Sequence, residues 1–146
     1  MAEPELELVV AAVDGSDASL HAARTAVAYA RSNGARLHVL TVVRPTEGWW
    51  GIGGAGPAAE AMTHALESAQ HVLDETTAAL ETDDVDVETS IEIGEPAGTV
   101  ADFCEKQGAD LLVIGRRGAG LFERMTMGST ADRLAHTAPC PVLLVP

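Results

Sequence analysis

Five short apolar runs separated by four stretches of helical periodicity restrict this chain more than anything else in it. The runs are "LELVVAAV" (6–13), "LHVLTVV" (37–43), "VDVETSIEI" (85–93), "DLLVIG" (110–115) and "PVLLV" (141–145). Their length and their Val, Leu and Ile content are those of strands. After the first run, Leu20, Ala23, Val27 and Ala30 recur at helical spacing from Ser16 to Asn33, and Gly34 closes the helix. Met62, Leu66, Ala69, Leu73 and Leu80 form one stripe of a longer helix over 57–82, with His64 and His71 on its solvent side. Shorter helices follow over 96–107, ended by Gly108, and from Ser129 to His136. Strands joined by helices, each connection long enough for a right-handed crossover, predict a parallel α/β sandwich of the doubly wound kind. A chain of 146 residues is a natural size for one such domain, spanning 1–146.

Two runs report on the sheet's edges. In 85–93, Val85, Val87, Ile91 and Ile93 face one way and Asp86, Glu88, Ser90 and Glu92 the other, and a strand with a wet face belongs near an edge. "PVLLV" has no polar alternation, although the last strand of a small open sheet often lies at an edge. Either it is central, or something covers it, and an identical subunit is the simplest cover.

A net charge of −13 opposes general nucleic-acid binding, because phosphate contacts supply most non-specific affinity. The start "MAEPELE" lacks the basic and apolar regions of an export signal, and no stretch approaches the roughly 18 apolar residues of a membrane span. Cys104 and Cys140 lack metal-ligand or C-x-x-C spacing and read as reduced, buried small hydrophobes, so a cytoplasmic location is expected. The five histidines are scattered without paired spacing, and "DDVDVE" lacks the glycine and terminal glutamate of a calcium loop, so no protein-held metal site is expected.

Open parallel sheets bind ligands beyond the carboxyl ends of their strands, where glycine turns let backbone amides approach an anion. Three stretches compete for that role. "GIGGAG" (51–56) has the spacing G-x-G-x-x-G, but seven residues separate it from Val43, and no acidic strand end follows at the required distance. "DGSDAS" (14–19) resembles the phosphate loop of pyrophosphate-cleaving synthetases, yet Asp14 would repel a phosphate there. A ribose, base or metal contact suits Asp14 better, with Ser16 or Asp17 capping the helix. "GRRGAGLFERMTMGST" (115–130) follows a strand directly. Gly115 and Gly118 can turn amides inward, and Gly128 and Ser129 open a helix whose positive end faces the same place. A capping box of Ser129 with Asp132 is the structural alternative. From 115 to 133 four arginines (116, 117, 124, 133) face Glu123 and Asp132, a local +2 within a strongly acidic chain. The lysine of a Walker loop is missing, since Leu121 follows Gly120.

The run Gly115-x2-Gly118-x9-Gly128-Ser129 resembles the G-2x-G-9x-G-[S/T] signature of nucleotide-binding universal stress proteins. "VAVDGS"-like "VAAVDGS", "LHVLTVV", "DLLVIG" and "PCPVLLVP" extend the likeness over nearly the whole chain. The resemblance implies a Rossmann-like fold of the adenine nucleotide alpha hydrolase-like type: a five-stranded parallel sheet in the order 3-2-1-4-5 with helices on both faces. It also implies a homodimer through 141–145 and an adenine nucleotide between strands 1 and 4. Carried over by position, Ala12, Val13 and Asp14 lie at base and ribose, and the Val42 backbone meets adenine. Ile114, Gly115 and Gly118 line the ribose–phosphate path, while Gly128, Ser129 and Thr130 hold the phosphates. Arg116 or Arg117 reaches them as well. ATP, ADP and AMP all remain possible ligands, with Mg²⁺ or Mn²⁺ bound through the phosphates.

Three functions stay open on these grounds. The first is an ATP-binding, dimeric stress or regulatory module with little or no hydrolysis, since no motif supplies a base to activate water. The second is a weak ATPase or a protein that phosphorylates itself on Ser129 or Thr130. The third is a nucleotide-free interaction module. No nucleic-acid or membrane partner is expected.

Overall fold

The computed structural model describes residues 3, 5–45, 56–117 and 127–146. Its strands are β1 (Leu8–Ala12), β2 (Arg36–Val43), β3 (Val87–Ile93), β4 (Leu111–Gly115) and β5 (Val142–Val145). Its helices are α1 (Asp17–Asn33), α2 (Pro57–Ala78), α3 (Pro96–Gln107) and α4 (Ser129–Thr137). All pairings are parallel and the order is β3-β2-β1-β4-β5, as expected. The G-x-G-x-x-G segment lies, apart from Gly56, outside the described residues, as does Gly118.

The two-residue period of a strand divides the apolar side chains between two cores. Val9, Ala11, Leu37, Val39, Leu111 and Val113 meet α1 and α2, including Ala22, Ala26 and Leu73. Leu8, Val10, Leu40, Leu112 and Ile114 meet α3 and α4, including Val100, Phe103 and Leu134. α1 starts on Ser16, whose hydroxyl accepts the Ser19 N–H, and both α1 and α3 stop at left-handed glycines, Gly34 and Gly108.

α2 ends at Ala78, short of the predicted 82. The chain turns there so that Leu80 still buries against the α1 side of the sheet, while Asp84 pairs with Arg31 at 2.8 Å. His64 and His71 are solvent-exposed, as expected. β3 is an edge strand with Val87 and Ile91 packed on the core, but Ile93 is exposed at the strand's end. β5 is the other edge, with Val142, Leu143 and Leu144 half-buried. Both cysteines are free. Cys104 is buried, Cys140 half-buried, and their thiols touch; burial pushes the Cys104 thiol up to about 12, so it stays protonated. Among the described residues no helix is long and apolar enough to cross a membrane.

His38, on β2, is half-buried under α3, with Nε2 2.7 Å from Ser90 Oγ and its ring 4.6 Å from that of Phe103. Burial lowers its pKa, outweighing Glu88 and Glu92, which raise it. The unfolded chain therefore takes up this proton near 6.5, and the folded chain only at lower pH. Stability is complete above that value and falls as pH drops through the folded one. His38→Gln, which keeps an Nε2 amide for Ser90, should flatten the fall in urea midpoint between pH 6.5 and the onset of carboxylate titration; an unchanged slope would assign the acid lability elsewhere.

Candidate functional site

The chain reverses direction across the sheet after β3, leaving β1 to pair with β2 on one side and β4 on the other. Beyond the carboxyl ends of these three strands lies a cavity of about 490 Å³, within the range of small-ligand sites. Ala12, Val13 and Asp14 enter it from β1, Val42 from β2, Ile114 and Gly115 from β4, and Gly128, Ser129 and Thr130 from the start of α4. The topology thus collects at one place residues more than a hundred positions apart.

The local geometry at each strand end has a physical cause. The Val13 N–H donates to Leu40 O at 2.8 Å and the Thr41 hydroxyl to Val13 O at 2.7 Å, so the β1 exit is pinned to β2. Asp14 then folds back: its Oδ1 accepts from the Ser16 N–H at 2.9 Å and the Ser16 hydroxyl at 2.6 Å. On the β4 side the Arg116 N–H donates to Val145 O at 2.7 Å, and Gly128 N–H donates to Arg116 O at 2.8 Å. That last bond seats the start of α4 against the end of β4.

The first turns of three helices border the cavity, through Ser19 of α1, Pro96 of α3 and Ser129 of α4. Two are already filled from within the chain. Ser16 caps α1, and the Glu95 carboxylate accepts the Ala97 and Gly98 N–H groups of α3. α4 is different: its N-cap is Gly128, with no side-chain cap. The Ser129–Asp132 capping box is therefore not formed, and Ser129 is the first helical residue with its side chain exposed. The first-turn amides of α4 have no intrahelical acceptor, and Ser129, Thr130 and Ala131, which carry them, line the cavity.

Arg116 does not line the cavity; Arg117 does. Arg116, just past β4, has its backbone bonded to β5 and to Gly128, and its Nε is buried without a hydrogen-bond partner among the described residues. Ser19, Arg44, Pro96, Val100, Ala131 and Leu134 also line the cavity and were not foreseen. Their only sequence signal is position, one turn into a helix or just past a strand, and it has meaning only once the strand order is known. A side chain at Gly115 would be tight: a Cβ would lie 3.0 Å from the Ala18 carbonyl carbon and 3.1 Å from Ala18 Cβ, so the neighbouring backbone of α1 would have to move. Gly115→Val should cost about 1–3 kcal/mol in urea denaturation by pushing α1 off the strand end; wild-type stability would show that this contact can yield.

The universal stress protein family model matches residues 6–146. A universal stress protein of Methanocaldococcus jannaschii is 34% identical over 145 residues, covering 94% of this chain and 80% of that one. Among solved structures, universal stress protein UspA of Lactobacillus plantarum is similar with TM-score 0.74 and 25% identity, covering 99% of this chain and all of that one. The same fold recurs in a universal stress protein of Archaeoglobus fulgidus in complex with dAMP (TM-score 0.59, 23% identity, 97% and 98% coverage) and in one in complex with cAMP (TM-score 0.61, 24% identity, 98% of each). With a matching sequence model over nearly its full length and the five-stranded order in place, the chain belongs to the universal stress protein family.

Proposed function

We propose that this chain is an adenine-nucleotide-binding regulatory module of the cytoplasm, acting as a homodimer. The observation that carries the reading is the uncapped start of α4, the one helix bordering the cavity whose first turn is not closed by a side chain of its own among the described residues. Phosphates sit there, on the amides and hydroxyls of Ser129 and Thr130 beside Gly128. Arg117, rather than Arg116, supplies positive charge. Ala12, Val13 and Val42 take the base, Asp14 the ribose with the carboxylate oxygen not engaged by Ser16, and Ile114 and Gly115 the path between; Gly118 belongs to the same signature. The relatives in complex with dAMP and cAMP support an adenine ligand.

Mg²⁺ or Mn²⁺ belongs to this reading as a companion of a triphosphate. Among the described residues no group of three or more His, Cys, Asp or Glu side chains converges, so the ion would be held through phosphate oxygens with the hydroxyls of Ser129 or Thr130. The reading is binding rather than turnover, because among the described residues Asp14 is the carboxylate lining the cavity and one of its oxygens is engaged by Ser16. Calorimetry should give a Kd on the order of micromolar for ATP with Mg²⁺ or for AMP. Gly128→Val should weaken it at least about tenfold by obstructing the first-turn amides. No heat with any adenine nucleotide would end the reading; label transferred from γ-phosphate to Ser129 or Thr130 would replace it with self-phosphorylation.

The edge strand β5 supports the dimer in this reading. The Leu112 and Arg116 N–H groups donate to Pro141 O and Val145 O, so odd-numbered residues of β5 bond toward β4. Val142 and Leu144 direct their backbone groups to the open edge, where a second copy can pair. Sedimentation equilibrium should show a dimer, and Leu144→Pro, which removes an outward N–H but no bond to β4, should give a monomer. A wild-type monomer at micromolar concentration would contradict this.

A further inference from the structure

One carboxylate holds the cavity rim between α3 and α4. Glu95 Oε2 accepts the Gly98 N–H at 2.8 Å, and Oε1 accepts both the Ala97 N–H at 3.3 Å and Arg133 Nη1 of α4 at 2.8 Å. The turn carrying it is fixed by backbone contacts. The Gly94 N–H donates to Val43 O at 2.9 Å, tying the turn to the end of β2. A Cβ at Gly98 would lie 3.2 Å from Glu95 Oε2, so this glycine leaves room for the carboxylate on the helix start, while a Cβ at Gly94 would run into Thr99 Oγ1. The Gly98 N–H, then that of Ala97, Arg133 and Arg44 hold the Glu95 carboxyl below its ordinary range. Glu95 therefore remains an anion down into the acid range. It directly precedes Pro96, and Arg133 stands one turn beyond Ser129; Pro96 and Ser129 both line the cavity.

We propose that Glu95 is a positioning residue: by clamping the first turn of α3 to α4 it sets how far the phosphate-binding amides stand from the base end of the cavity. The clamp rests on the nucleotide reading above for its consequence, but not for its existence. In that reading Val42, one of the three base contacts, stands at the end of β2 next to Val43, to which Gly94 is bonded, and the phosphate contacts belong to α4, as does Arg133. Beside the apolar packing of Val100 and Phe103 with Leu134, Glu95 is a polar link between α3 and α4 at the cavity rim. A rival role is electrostatic: Glu95 would only mask Arg133 and so reduce the positive potential at the phosphates.

The two roles separate by sign and by ligand. Glu95→Gln keeps an acceptor for the helix amides and loses the ion pair; Arg133→Met loses it from the other side. If Glu95 positions, each variant weakens ATP with Mg²⁺ by about threefold, the scale set by an exposed ion pair. The double variant is then no weaker than either single one, and inorganic tripolyphosphate, which spans no base site, is unaffected. Masking instead makes Glu95→Gln tighten both ATP and tripolyphosphate, and that result, or unchanged ATP affinity, overturns the proposal. Hydrogen exchange of the ligand-free protein tests the clamp itself: both variants should speed exchange at the Asp132 to Leu134 amides, and unchanged exchange overturns it whether or not nucleotide binds. That exchange response in the variants, with no nucleotide affinity in the wild-type protein, removes the functional reading, and the positioning role with it, while leaving the clamp.

Discussion

β1 is paired on both edges and covered on both faces: β2 and β4 flank it, and Val9, Val10 and Ala11 have no exposed surface. A strand buried in this way has every backbone group satisfied by its neighbours and every side chain in one of two apolar cores. The helices must then cover both sides, with α1 and α2 on one and α3 and α4 on the other. Because β2 and β4 leave β1 in opposite directions, their connections part at its carboxyl end, and the parting is the cavity. Residues with small or no side chains, Ala12, Gly115 and Gly128, line that space.

Within the cavity, the distribution of helix caps matters more than the number of charges. Three positive helix ends come close, and each would attract an anion if left open. The Ser16 hydroxyl, itself held by Asp14, caps the first, and the Glu95 carboxylate caps the second, so side chains of the protein close two of the ends from within. The third opens on Gly128, which has no side chain with which to close it. In the proposed function, where a phosphate lies is thus set by which helix end is left open. The same Glu95 carboxylate also reaches α4, so the closing of one helix end and the placement of the other are mechanically joined.

Much of this was legible beforehand because it depends on periodicity. Alternation in 85–93 marked an edge strand, and the glycines at 34 and 108 marked helix ends, since only the residue types and their local spacing are involved. The end of α2 was not legible. Leu80 continues the apolar stripe on paper, yet it buries after the helix has turned, where the Asp84 pair with Arg31 guides the chain. Charge counting also misled in one respect. The local excess of arginine over 115–133 included Arg133, whose charge is offset by a carboxylate 38 residues away. A sequence window cannot see that partner.

The amino-acid sequence by itself determined the layers, the order in which strands and helices follow, and the glycine signature after β4, because propensity, alternation and backbone freedom are local properties of a chain. Only the tertiary structure decided which arginine lines the cavity, that Arg44, Pro96 and Val100 share it, and which of three helix starts is left open. Those outcomes depend on distances between segments that meet only after the sheet has closed its register, and no periodicity within one segment encodes the position of another.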